Sequence, residues 1–212
     1  MRVSSVYDVV MRIGIGLLSV IAAAALTGPP SAAGAVIGPP DIASNWSGSY
    51  GCGIEDAPCA YANLGLPAAP DSETGFGFDI AAGKVRSPFK GTITKWRVNI
   101  EEFTGTGLGP LALQVLRRDV NQPGLAADEF RVVKQSQDEV SQFGPNTFFT
   151  SLRIRKSDFI GLSILGADTS VRELDAGTLG FLETPLALGD ASSPFDDVIA
   201  NRQILLNATV KR

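Results

Sequence analysis

From Phe148 to Gly166 the chain reads FFTSLRIRKSDFIGLSILG, two apolar alternating runs around the polar tetrapeptide Arg155-Lys156-Ser157-Asp158. Counting by twos, Phe148, Thr150, Leu152 and Ile154 share one face before the turn, and Ile160, Leu162 and Ile164 share one after it. That is the period of half-buried strands, and it predicts a β-hairpin at the middle of a sandwich. The run 91–103 has the same period: Thr92, Thr94, Trp96, Val98 and Ile100 alternate with Ile93, Lys95, Arg97 and Asn99, and the first set is expected to face the core. Leu111 to Arg117 follows, with Leu111, Leu113 and Val115 inward and Gln114 outward.

Further short strands are predicted at Phe76–Ile80, at Phe130–Gln135 with Phe130 and Val132 on one face, around Val140, at Leu179–Glu183, and at Ile204–Val210, where Ile204, Leu206, Ala208 and Val210 alternate. Gly and Pro punctuate these runs at Gly109-Pro110, Pro123-Gly124 and Gly144-Pro145. Gly166 to Gly177 reads as loop, Ala187 to Asp196 as an open loop, and Asp197 to Arg202 as the only candidate for a helical turn. Eight or nine short strands without an amphipathic helix predict an all-β fold, an antiparallel sandwich of jelly-roll or Greek-key type.

The first residues follow a different pattern. Arg2 and Arg12 frame a basic start, Ile13 to Leu26 is an apolar run of 14 residues, and a small-residue segment ends in Ala33-Gly34-Ala35. This is the layout of a secretory signal peptide, residues 1–35, cut after Ala35 with Ala33 as the alternative. An uncleaved anchor is the other reading, although the run is shorter than the roughly 20 residues a spanning helix needs. Residues 36–75 are rich in Gly, Pro, Ala, Ser and Asn and read as a loop-dominated entry segment, and 76–212 as the sandwich domain. The predicted address is extracellular, with cell-wall association as an option and no membrane span after cleavage.

Cys52 and Cys59 are the only cysteines. Export favours a disulfide, since six intervening residues do not fit the two-residue redox spacing. Closing that loop restricts the unfolded chain by roughly 2.5 kcal/mol in the loop-entropy description.

Charge narrows the chemistry. The chain has 18 Lys and Arg, 22 Asp and Glu and no His, a net of −4. The basic residues are dispersed along the sequence with no block or stripe, which argues against nucleic acid as a partner. Without His there is no Ser-His-Asp or Cys-His constellation, and no metal site built on imidazole. Carboxylate-pair glycoside hydrolysis needs no His. Yet Glu101-Glu102, Asp128-Glu129, Asp138-Glu139 and Asp196-Asp197 are adjacent pairs, and neighbours on a strand point to opposite faces. Asp196 and Asp197, in a loop with Asp190, are the candidate calcium ligands, short of the six or more oxygens such a site needs. Trp46, Tyr50 and Tyr61 lie beside the cysteines in the entry segment. Rings on a braced loop suit stacking on an extended polysaccharide, and they equally suit packing of that segment onto the sandwich. Asn45-Trp46-Ser47 and Asn207-Ala208-Thr209 match the N-glycosylation pattern.

The runs RSPFKGTITKWRV, LALQVLR, RIRKSDFIGLSI and RQILLNATV, taken together, resemble a group of uncharacterised secreted β-sandwich proteins of high-GC Gram-positive bacteria. Members of that group tend to carry Gly-Asp where this chain has Ser157-Asp158. The resemblance implies a fold and an extracellular address and supplies no activity. The functional expectation is therefore a secreted, non-catalytic sandwich, with no cofactor, binding a carbohydrate or other envelope polymer. A structural or protein-interaction module at the cell surface is the alternative, and a carboxylate-based glycoside hydrolase is a third reading.

Overall fold

The structure is a computed structural model that describes residues 34–43, 48–51, 59–63, 85–102, 109–118, 129–165, 169–175, 177–191 and 193–212. Among these residues there are strands and no helix, and every strand pairing is antiparallel. One sheet holds β1 (Ala35–Ile37), β2 (Gly48–Gly51), β4 (Gly91–Glu102), β8 (Gly144–Ile154), β10 (Thr169–Leu174), β13 (Gln203–Ile204) and β14 (Leu206–Lys211). The other holds β3 (Cys59–Asn63), β5 (Pro110–Arg118), β6 (Phe130–Gln135), β7 (Glu139–Val140), β9 (Phe159–Ile164), β11 (Thr178–Leu182) and β12 (Asp197–Ala200). The chain passes repeatedly from one sheet to the other, as in Greek-key and jelly-roll sandwiches and unlike a meander.

The core between the sheets is built from the alternating positions. Ile93, Trp96, Val98 and Ile100 of β4 meet Leu111, Leu113 and Val115 of β5 and Ile160, Leu162 and Ile164 of β9. Ile204, Leu206, Ala208 and Val210 join them from the last two strands. Trp96 is fully buried and packs on Phe148 with ring centroids 4.4 Å apart, so this ring belongs to the core.

A smaller cluster lies on the outer face of the second sheet. Ala62, Leu116, Phe130, Val132 and Phe159 are covered there by Val85, Leu186 and Phe195. Phe130 contacts Phe159 edge-on at 5.3 Å and Phe195 at 5.0 Å. The connection that follows β11, in which Ala187–Asp196 reads as an open loop, thus carries Leu186 and Phe195 as hydrophobic anchors onto the sheet. That cover is why β9 is buried on both faces.

Several expectations are corrected. The runs on either side of Arg155–Asp158 are strands with the predicted facing, but they do not pair. β8 pairs with β4, and β9 pairs with β3 and β5. The tetrapeptide is therefore an arch from one sheet to the other. Its geometry is fixed locally: Ser157 sits at φ 70°, the Arg155 N–H donates to Asp158 Oδ2, and Ser87 exchanges backbone bonds with Ser157 and Asp158.

In β4 the core set is Ile93, Trp96, Val98 and Ile100, with Thr92 and Thr94 outside it. The pairing register shifts between Ile93 and Lys95, and this bulge reverses the facing of the strand's start. Gly166–Gly177 contains β10, whose Thr169, Ser170 and Glu173 are buried beside Val171. Its polar composition hides a strand that pairs with β2, β4 and β13. Asp197–Arg202 forms β12 and a turn at Asn201 (φ 57°), not a helical turn. The entry segment is no appendage either, since β3 lies between β9 and β11 and is buried along its whole length. Small and amide side chains in Cys59-Ala60-Tyr61-Ala62-Asn63 suit that crowded place while giving little strand signal in sequence. The strand expected at Phe76–Ile80, like residues 1–33, lies outside the described residues.

Candidate functional site

Six cations far apart in sequence meet at one flank of the sandwich. Lys90 precedes β4, Arg117 is near the end of β5, Lys134 lies on β6, Arg153 on β8, Arg155 opens the arch, and Arg212 follows β14. They surround a cleft of about 540 Å³ whose other walls are Gly91, Thr92, Val133 and Ile154. No Asp or Glu is among its described lining residues.

Strand register explains the convergence. Thr92 of β4 lies opposite both Arg153 of β8 and Lys211 of β14, so the start of β4 and the ends of β8 and β14 form one rim. The end of β5 lies opposite β6 across the second sheet, with Val115 facing Lys134 and Arg117 facing Arg131. The cleft lies between those two rims.

Two of the cations are oriented by the protein itself. Arg117 donates from Nε and from its second terminal nitrogen to the two oxygens of Asp158, each at 2.8 Å, a bidentate pair with the carboxylate 3% exposed. The hydrogen bonds that Arg117 donates to Asp158 are the main cause that raises the Arg117 pKa above its ordinary value, partly opposed by burial. The guanidinium of Arg212 lies over the ring of Phe89, 4.8 Å from its centroid. No ion pair among the described residues involves Lys90, Lys134, Arg153, Arg155 or Arg212. Cations of one sign gathered around one cleft give it a positive field that attracts anions and weakens with salt.

Other features have structural uses. Glu173 is buried and pairs with Arg202, which also reaches Asp175 at 3.2 Å. Burial raises the Glu173 pKa, and the charge of Arg202 opposes that rise. The Asn63 amide donates to the Ile204 carbonyl and accepts from the Ile204 N–H, both at 3.0 Å, and so stitches β13 to the opposite sheet. Asn99 and Asn207 donate to the carbonyls of Ile42 and Pro39 and hold the 39–42 segment on the first sheet. Asn207 is thereby buried inside the fold and offers no surface amide for glycosylation. A second cavity of about 340 Å³ has an apolar wall of Leu165, Pro185, Leu186 and Leu188, with no charged side chain among its described lining residues.

The residues singled out in sequence fare differently. Trp46 lies outside the described residues, as does the side chain of Tyr50, whose backbone pairs with Val171. Tyr61 is 1% exposed and packs on Phe181 at 5.2 Å, which corrects its reading as a stacking platform: its ring faces are spent on the core. Asp190, Asp196 and Asp197 are exposed, and each accepts a backbone N–H, from Ala187, Glu183 and Val198 respectively. Among the described residues no three His, Cys, Asp or Glu side chains come together as a metal-holding group. Cys59 is buried, and Cys52 lies outside the described residues.

The cleft was not visible as a basic block because no two of its cations are adjacent in sequence. The usable signal was positional. Once strand limits are drawn, basic residues recur at the start of β4 and the ends of β5, β8 and β14, and antiparallel order brings those points to one end. No protein-family model, curated protein or solved structure matches the chain.

Proposed function

We propose that this protein is a secreted, non-catalytic β-sandwich that binds an anionic polymer of the cell envelope in the basic cleft. The observation that carries this reading is the convergence of six of the chain's 18 basic residues on one cleft with no Asp or Glu among its described lining residues, in a chain of net charge −4. Export is supported by the signal-peptide layout of residues 1–35, and the resemblance to secreted sandwich proteins agrees with it. A disulfide between Cys52 and Cys59 would brace the entry segment for that environment. The carboxylate-hydrolase reading gains nothing from the cleft, whose described lining residues include no Asp or Glu, where such chemistry requires two acids.

Co-sedimentation of the purified protein with cell wall, and with acidic and neutral insoluble polysaccharides, tests the proposal. Saturable binding to acidic material that falls as sodium chloride rises from 50 to 500 mM is expected, as is its loss in the double variant Arg153→Glu, Arg155→Glu. Both positions are exposed, so the variant should melt at an unchanged temperature. Equal binding to neutral and acidic polymers, insensitive to salt, would sink the assignment. A second reading, a protein-interaction module, is favoured by the edge formed by β7, β8 and their connection, where Val140, Phe143 and Phe149 are 80%, 53% and 74% exposed. Light scattering coupled to size exclusion separates the two, since that reading requires a complex and the first is satisfied by a monomer.

A further inference from the structure

The charge density of the cleft restricts its ligand further, given the anion-binding reading above. Five of its cations have no carboxylate partner among the described residues, and the sixth, Arg117, is already paired with Asp158. A space of about 540 Å³ has a cube root of about 8 Å, comparable to the Debye length at physiological salt. All five unpaired charges therefore act on whatever occupies it.

An anion that carries one charge per sugar ring, as a uronate chain does, places one or two charges in such a space and leaves most of the cations uncompensated. A polyol phosphate has the same shortfall, because several carbons separate its phosphates. Phosphates joined through a single bridging oxygen place several charges within that span. Four of the six lining cations are arginines, whose planar forks match phosphate oxygens two at a time. Thr92 adds a hydroxyl donor on the wall. We infer that the cleft is a site for a phosphoanhydride group, the linked phosphates of a pyrophosphate ester or of linear inorganic polyphosphate, rather than for a carboxylate glycan.

Isothermal titration of the purified protein at constant ionic strength, with pyrophosphate, tripolyphosphate, a long-chain polyphosphate, glycerol 3-phosphate and trigalacturonate, tests this. Tripolyphosphate is expected to bind at least tenfold tighter than trigalacturonate and glycerol 3-phosphate. Arg153→Gln combined with Arg155→Gln should weaken it at least tenfold, and Lys134→Gln should weaken it from the opposite wall. Lys156→Gln, an exposed change in the same arch that does not line the cleft, should leave it unchanged. Affinity that is already maximal with pyrophosphate points to an ester as the source; affinity that rises with chain length points to the polymer. Trigalacturonate binding as tightly as tripolyphosphate would overturn the phosphoanhydride inference while leaving the anionic-polymer proposal standing. If no anion binds, both fall.

Discussion

At the residue scale, Asp158 does two opposing things. Its carboxylate accepts both donors of Arg117 and the backbone N–H of Arg155, so it fixes the arch and one wall of the cleft. Among the described residues it is also the one negative charge bonded to a cleft cation, and it lowers the field there. Asp158→Asn separates these effects. The amide keeps the shape but loses one acceptor and the charge, which costs about 2 kcal/mol for a largely buried, charge-assisted pair. Thermal melting should therefore show a less stable protein. Arg117 is released at the same time, so affinity for a small phosphate anion should rise several-fold. Parallel loss of stability and affinity would mean that the carboxylate matters to the cleft through its grip on the arch and not through its charge.

At the scale of the element, the arch between β8 and β9 turns on Ser157, held at φ 70° in the left-handed region that side chains with a Cβ occupy at a cost. Ser157→Gly removes a strain of about 1–2 kcal/mol and gives back part of it through the greater freedom of the unfolded chain. A net gain of about 0.5–1 kcal/mol is expected, read as a higher urea midpoint with an unchanged slope.

The same elements show how far the pattern of the sequence reaches. The facing of β8, β9 and β14 was legible because buried or half-buried residues recur at every second position along them. Three features were not. The arch looks like a hairpin because a polar tetrapeptide between two strands has the same composition whether the strands pair or cross. The bulge at Thr94 leaves the alternation of β4 intact on paper while reversing its start. β10 carries its strand character in backbone pairing and in the buried Glu173–Arg202 pair, neither of which a hydrophobic pattern records.

At the scale of the whole molecule, the basic cleft depends on antiparallel register, which places distant strand ends side by side. A sequence read for runs of like charge sees dispersion where the fold makes a cluster. If the chain is exported as proposed, register also bears on where its mature form begins. Ala35 lies opposite Val210, Val36 opposite Thr209 and Ile37 opposite Ala208, and Ile37 is fully buried in the core. Gly34 runs on alongside β14, where a Cβ would lie 3.2 Å from the Val210 carbonyl oxygen. Cleavage after Ala35 would remove the first rung of β1 and put a charged terminus at Val36. Cleavage after Ala33 keeps the strand whole and still presents the small residues Ser31 and Ala33 at the positions a signal peptidase reads. The fold thus favours the second of the two sites weighed in the sequence. On the export proposal, intact mass and N-terminal sequencing of protein recovered from the culture medium should give Gly34 as the first residue. A chain made to begin at Val36 should be less stable by about 1 kcal/mol, the worth of a lost rung. Secretion of a chain beginning at Val36, with a melting temperature equal to that of one beginning at Gly34, would show that the pairing of Ala35 with Val210 adds nothing to the sheet.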